Sequence, residues 1–171
     1  LRSTQYTSGV SMADMAMRAG SGRTYRFYQG TPTFPFGHGL TYSTFAFAWA
    51  ATPAKQQSVD SVTAGLRFRI NVTNTGTRHG AKVVAAYARV EAAGITDGPL
   101  KQLFGMQKVA LSPGASQVVT IDSGAVAGFC SLCAVDASGA SRVRAGTITV
   151  TIGSGGNTAE AALLTHEMVV A

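Results

Sequence analysis

Leu66-Arg67-Phe68-Arg69-Ile70-Asn71-Val72-Thr73 is the stretch on which the fold turns. Four apolar residues, Leu66, Phe68, Ile70 and Val72, alternate with Arg67, Arg69, Asn71 and Thr73. Successive side chains of a β-strand point to opposite faces, so this period of two predicts a strand with one buried and one wet face. It closes on Asn74-Thr75-Gly76, read as a turn because Asn and Gly tolerate positive φ. Just beyond it, residues 81–90 are more continuously apolar, as expected of a strand inside a sheet.

Working outward, further strands are expected at 45–50, 107–111, 117–121, 147–152 and 163–170. Turn clusters separate them at Ser112-Pro113-Gly114, Ala137-Ser138-Gly139 and Gly153-Ser154-Gly155-Gly156. About seven strands between turn clusters argue for an all-β, antiparallel sandwich of immunoglobulin-like type. The 171 residues suit one domain with an arm, and 46% hydrophobic against 13% charged residues leaves enough apolar surface for a core. The net charge of +6 is spread over single Lys and Arg residues rather than gathered in a run. A nucleic-acid binder concentrates such charge in a stripe, so no nucleic acid is expected as partner. No apolar run is long enough to cross a bilayer as a helix.

Toward the N-terminus the pattern changes. Residues 1–22 hold no sustained period, although Met12, Met15 and Ala16 would share one face of a short helical turn. Residues 23–45 concentrate Tyr25, Phe27, Tyr28, Phe34, Phe36, Tyr42 and Phe45 among Pro32, Pro35, Gly37 and Gly39. Prolines and glycines prevent a long regular element here. So much aromatic surface on an irregular backbone predicts a connector docked on another surface.

That segment, Gly22-Arg-Thr-Tyr-Arg-Phe-Tyr-Gln-Gly30 with Phe34-Pro-Phe-Gly-His-Gly-Leu-Thr-Tyr-Ser-Thr-Phe45, resembles the connector of family 3 glycoside hydrolases, the β-glucosidases and β-xylosidases. Residues 11–18, SMADMAMR, resemble the tail of that family's α/β domain. Residues 72–76 with 80–87, and 101–105 through 111–114, are similar to its fibronectin-III-like strands. The resemblance implies a connector and α/β tail at 1–42 and a fibronectin-III-like sandwich at 43–171. It implies upstream barrel and α/β domains as partners, in the same or a cleaved chain, and a secreted or cell-wall setting with xylan or related polysaccharide nearby. The first residue is Leu1 rather than Met and no signal-like segment follows it, so the chain is expected to be a processed product, a cut-down version or the visible part of something longer. The interface would be carried by Arg23, Tyr25, Phe27, Tyr28, Phe34, Phe36, His38, Tyr42 and Phe45.

Retaining glycoside hydrolysis needs two carboxyl groups about 5–5.5 Å apart. The resemblance places both upstream, and Asp14, Asp60, Glu91, Asp97, Asp122, Asp136, Glu160 and Glu167 match neither catalytic motif. No catalytic residue, cofactor or metal site is therefore expected in this chain. His38, His79 and His166 have no ligand spacing. Cys130 and Cys133 form a CxxC with no second pair to complete a zinc site. Buried free thiols, a local disulfide and a bond to another cysteine all remain open, with Ser131 and Leu132 near a strand entrance. Asn71-Val72-Thr73 is an N-glycosylation sequon, and alternation turns Asn71 outward with Arg67 and Arg69. Two other roles stand beside the accessory one: a structural module of an extracellular assembly that has lost catalysis, and a carbohydrate-binding sandwich stacking sugars on Trp49 and nearby tyrosines.

Overall fold

The structure is a computed structural model that describes residues 4–6, 11, 13, 16–18, 20–95, 97–124, 130, 132–136, 138–153 and 163–171. Met12, Met15, Asp14, Glu160, Ser131, Ala137 and the 154–156 turn lie outside the described residues.

Two sheets face each other. One has three strands in the order β1 (Phe45–Ala51), β3 (Arg67–Asn74), β6 (Ser116–Asp122), all antiparallel. The other has five: β2 (Gln56–Gln57), β10 (Leu164–Val170), β9 (Gly146–Gly153), β4 (Gly80–Ala92) and β5 (Gln102–Leu111). Only the short β2 runs parallel to its neighbour. β7 (Ala134–Val135) and β8 (Ser141–Arg142) make a small ribbon. This is an all-β sandwich, as the alternation at 66–73 predicts.

The core lies between the sheets. Phe68, Ile70 and Val72 of β3 are fully buried, while Arg67 and Arg69 are exposed. Facing them are Val84, Ala86 and Ala88 of β4, Ile148, Val150 and Ile152 of β9, and Met168 and Val170 of β10. Phe45, Phe47 and Trp49 of β1 pack against the same cluster from its rim. β4 has neighbours on both sides, β5 and β9, which accounts for its near-continuous apolar run.

The turn after β3 works differently from the expectation. Neither Asn74 nor Gly76 adopts positive φ. Asn74 belongs to β3 and is 0% exposed. Its Oδ1 accepts from Ser43 Oγ at 2.6 Å and from Gly76 N at 3.0 Å, and its Nδ2 donates to Arg78 O at 2.8 Å and Leu111 O at 2.9 Å. One carboxamide thus joins the entry to β1, the β3–β4 turn and the end of β5. Gly76 is required for space, since a Cβ there would run into Ser43 Oγ.

Some elements exceed their expected bounds. β5 starts at Gln102 rather than at 107, because the ladder with β4 continues past Gly105 through a bulge between Ala86 and Tyr87. The helix α2 (Val59–Ala64) has no sequence period to betray it at six residues. It is fixed by Ser58, whose side chain accepts from Ser61 N at 3.1 Å.

Candidate functional site

The aromatic segment before β1 is built around one tight reversal. Gly22 is buried with φ +70°, and a Cβ there would collide with the carbonyl oxygen of Phe27. This close approach lets residues 24–27 form a single helical turn, α1 (Thr24–Phe27), in which Tyr28 N donates to Thr24 O at 2.9 Å. The turn aims Tyr25 and Arg26 at the five-stranded sheet.

Tyr25 is the centre of the contact. Its ring stacks on Phe36 with centroids 4.4 Å apart and meets Tyr87 of β4 edge-on at 5.9 Å. Its hydroxyl accepts from Leu103 N at 3.3 Å. Tyr87 alternates with the core-facing Ala86 and Ala88, so it belongs to the outward side of β4, yet it is only 1% exposed. Arg26 adds a hydrogen bond to Gln102 Oε1 at 2.9 Å, and its carbonyl accepts from Leu100 N at 2.7 Å. The connector is therefore docked on its own sandwich at this end.

The other expected interface residues divide into groups. Phe27 lies between the guanidinium groups of Arg18 and Arg26, at 5.2 and 5.6 Å from its centroid. Tyr28 meets Tyr6 edge-on at 5.0 Å, and Arg23 lies over the same Tyr6 ring. Phe34 and His38 pack on each other at 5.0 Å. Phe45 belongs to β1 and contributes to the sandwich core. Tyr42, by contrast, is 94% exposed, and neighbouring Leu40 is 96% exposed. Leu40 falls outside the aromatic pattern; its signal in the sequence is an aliphatic residue in a Gly-Thr stretch with no period to bury it.

Beside the connector, a cavity of about 90 Å³ is lined by Arg18, Arg26, Val90, Asp97, Gln102 and Cys133 among others. Cys130 and Cys133 are joined as a disulfide, and both pack against the core around the buried Leu132. Lys101, at the mouth of β5, has its ammonium pushed down from the usual range by burial.

The described carboxylates are held apart in separate structural roles. Asp97 pairs with Arg18, Asp122 with Arg67 and Glu91 with Arg89. Asp136 accepts from Ser138 Oγ and from the amides of Ser138 and Ala140, and pairs with Arg144. Those hydrogen bonds, the Ser138 hydroxyl first, hold its carboxyl below the ordinary value. Asp60 lies in the first turn of α2 and Glu167 on the exposed side of β10. His166 is buried, with Nε2 3.4 Å from Ala54 O and its ring edge-on to Trp49 at 6.0 Å. Trp49 is thereby half-buried at the core's rim. His79 is exposed. Among the described residues no cluster of His, Cys, Asp and Glu could hold a metal ion. No helix among them is long and apolar enough to cross a membrane.

Two facing antiparallel sheets with this connector define the class, and residues 82–155 match the fibronectin type III-like domain family. The chain carries that domain. Its particular likeness is to family 3 β-xylosidases and β-glucosidases. It is 35% identical over 146 residues to Beta-D-xylosidase 1 of Arabidopsis thaliana, covering 68% of this chain and 19% of the relative. The solved GH3 exo-β-xylosidase XlnD, in complex with a xylobiose aziridine activity-based probe, superposes with a TM-score of 0.78 at 25% identity. That match covers 99% of this chain and 24% of the enzyme. The β-glucosidase EmGH1 from Erythrobacter marinus matches with a TM-score of 0.67 at 30% identity, over 85% of this chain and 18% of its own. The chain thus spans about a fifth of the length of the relatives it matches.

Proposed function

We propose that this chain is the C-terminal accessory region of a family 3 glycoside hydrolase and braces a catalytic body supplied by upstream domains. The observation that carries the reading is the divided connector. One end, at Tyr25, Phe36 and Arg26, is seated on the sandwich, while Leu40 and Tyr42 stand almost wholly in water. Large apolar side chains left almost wholly in water two residues apart suit a contact with another protein surface. The parent's reaction is retaining hydrolysis of terminal β-linked xylose, arabinose or glucose, in a secreted or cell-wall setting with xylan or related matrix polysaccharide. This chain supplies position and stability to it, and no reacting group.

The test is mass spectrometry of the native particle, with assay on aryl β-xylosides and β-glucosides. A longer chain, or a tightly held partner chain, bearing a barrel and an α/β domain with activity is expected. A purified native protein lacking both would overturn the reading in favour of a structural module without catalysis. In the active parent, Leu40→Asp combined with Tyr42→Asp should lower the thermal midpoint and the yield of folded enzyme while leaving KM unchanged. The sugar-stacking alternative is disfavoured by Trp49, whose ring packs on His166 and the core rim.

A further inference from the structure

The outer face of the three-stranded sheet combines an open carboxamide with an uncovered apolar row. Asn71 sits on the central strand β3, directly opposite Ala48 on β1 and Val118 on β6. Thr73, two residues on, is opposite Ala46 and Ser116. Val72 between them is fully buried, so Asn71 and Thr73 both point away from the core. Ala46, Ala48 and Val118 are exposed around them. The two asparagines of this strand then differ in a telling way. Asn74 uses its carboxamide in four hydrogen bonds, whereas that of Asn71 makes none among the described residues. Only Asn71 has a hydroxyl residue two positions on, and the residues opposite it across the sheet, Ala48 and Val118, are short, so its half-buried side chain is flanked by no long neighbour there.

We propose that Asn71 carries an N-linked oligosaccharide and that its first sugars, rather than another protein surface, cover Ala46, Ala48 and Val118. Transfer takes the oligosaccharide from a polyprenyl-diphosphate donor. A bond forms between the sugar's anomeric carbon and Asn71 Nδ2, the anomeric carbon–phosphate oxygen bond breaks, and polyprenyl diphosphate and a proton leave. The sugar's apolar ring face meets the low row of methyl groups, while its hydroxyls stay in water beside Arg69 and Thr120. The inference rests on the extracellular setting proposed above.

The experiment secretes the chain from a eukaryotic host and maps the peptide containing residue 71 by mass, before and after peptide-N-glycosidase treatment. Hexosamine-containing glycan on Asn71 is expected, lost in Asn71→Gln and Thr73→Ala and retained in Thr73→Ser. Thr73→Ser keeps the hydroxyl that bonds Ser116 Oγ, so it separates a lost sequon from a lost fold. Enzymatic removal of the glycan from folded protein should raise binding of an apolar dye, and Val118→Thr should abolish that rise. An unmodified Asn71 in secreted, folded chain overturns the site, and equal dye binding with and without glycan overturns the covering role. A host-made chain that is modified, beside a native chain that is intracellular and unmodified, overturns the extracellular reading instead.

Discussion

Outside the core, the five-stranded sheet is roofed at Tyr87 by Tyr25 and Phe36, whereas the three-stranded sheet turns Ala46, Ala48, Asn71 and Val118 outward. Both sheets obey the same alternation on their inner faces, so the core treats them as equals. The difference arises from a segment outside either sheet. Connector aromatics convert the outward side of β4 into a second, smaller apolar layer, and among the described residues no such rings cover the outer face of the three-stranded sheet. Stability should accordingly be distributed unevenly over the two outer faces, while the seam between the sheets is shared.

That contrast can be broken most severely at the seam. Asn74→Ala leaves Leu111 O, Arg78 O and Ser43 Oγ without their partner, and should cost about 3 kcal/mol in denaturant unfolding. Tyr25→Ala removes the roof over Tyr87 and the bond to Leu103, with an expected loss of about 2 kcal/mol, since the ring is only half-buried. Replacing Cys130 and Cys133 together by Ser opens a loop of only three residues' separation, and should cost about 1.5 kcal/mol. Asp136→Asn sharpens the picture through pH. Its carboxyl is held below the ordinary value of 3.8, so its contribution is present above that value and fades as pH falls through the lower folded-state value. The acid limb of a stability–pH curve should flatten in this variant. On the bare face, Val118→Thr in unglycosylated chain should stay within about 0.5 kcal/mol of the parent. A Val118 effect as large as that of Tyr25 would mean the two faces are not distinct.

The core was legible because alternation reports it directly. Phe68, Ile70 and Val72 are assigned inward by the four polar residues that alternate with them, and their burial follows. Asn74 was harder. Its place in a polar, Gly-containing stretch reads as a local turn, but its partners Ser43 and Leu111 lie 31 and 37 residues away. No local pattern encodes such a contact. The connector shows the same limit. Its aromatic content predicts docking, yet the choice of Tyr25 and Phe36 for the sandwich depends on the reversal at Gly22. β2 and α2 are too short for any period to emerge, and β5 begins five residues before the expected 107 because its ladder with β4 continues past Gly105.

β10 is the last strand of this chain, yet it lies inside its sheet, between β2 and β9. Lys55 O accepts from Val169 N at 2.8 Å, and Gln57 O from Ala171 N at 3.1 Å. During synthesis, β2 must therefore wait for a partner strand that lies more than a hundred residues further along the chain. Until then Trp49 lacks His166, and the core lacks Met168 and Val170. Contacts between such distant parts of a chain make folding slow and expose strand edges meanwhile. A nascent chain released early by a stop codon before residue 164 would be a poor folder and a ready client for chaperones.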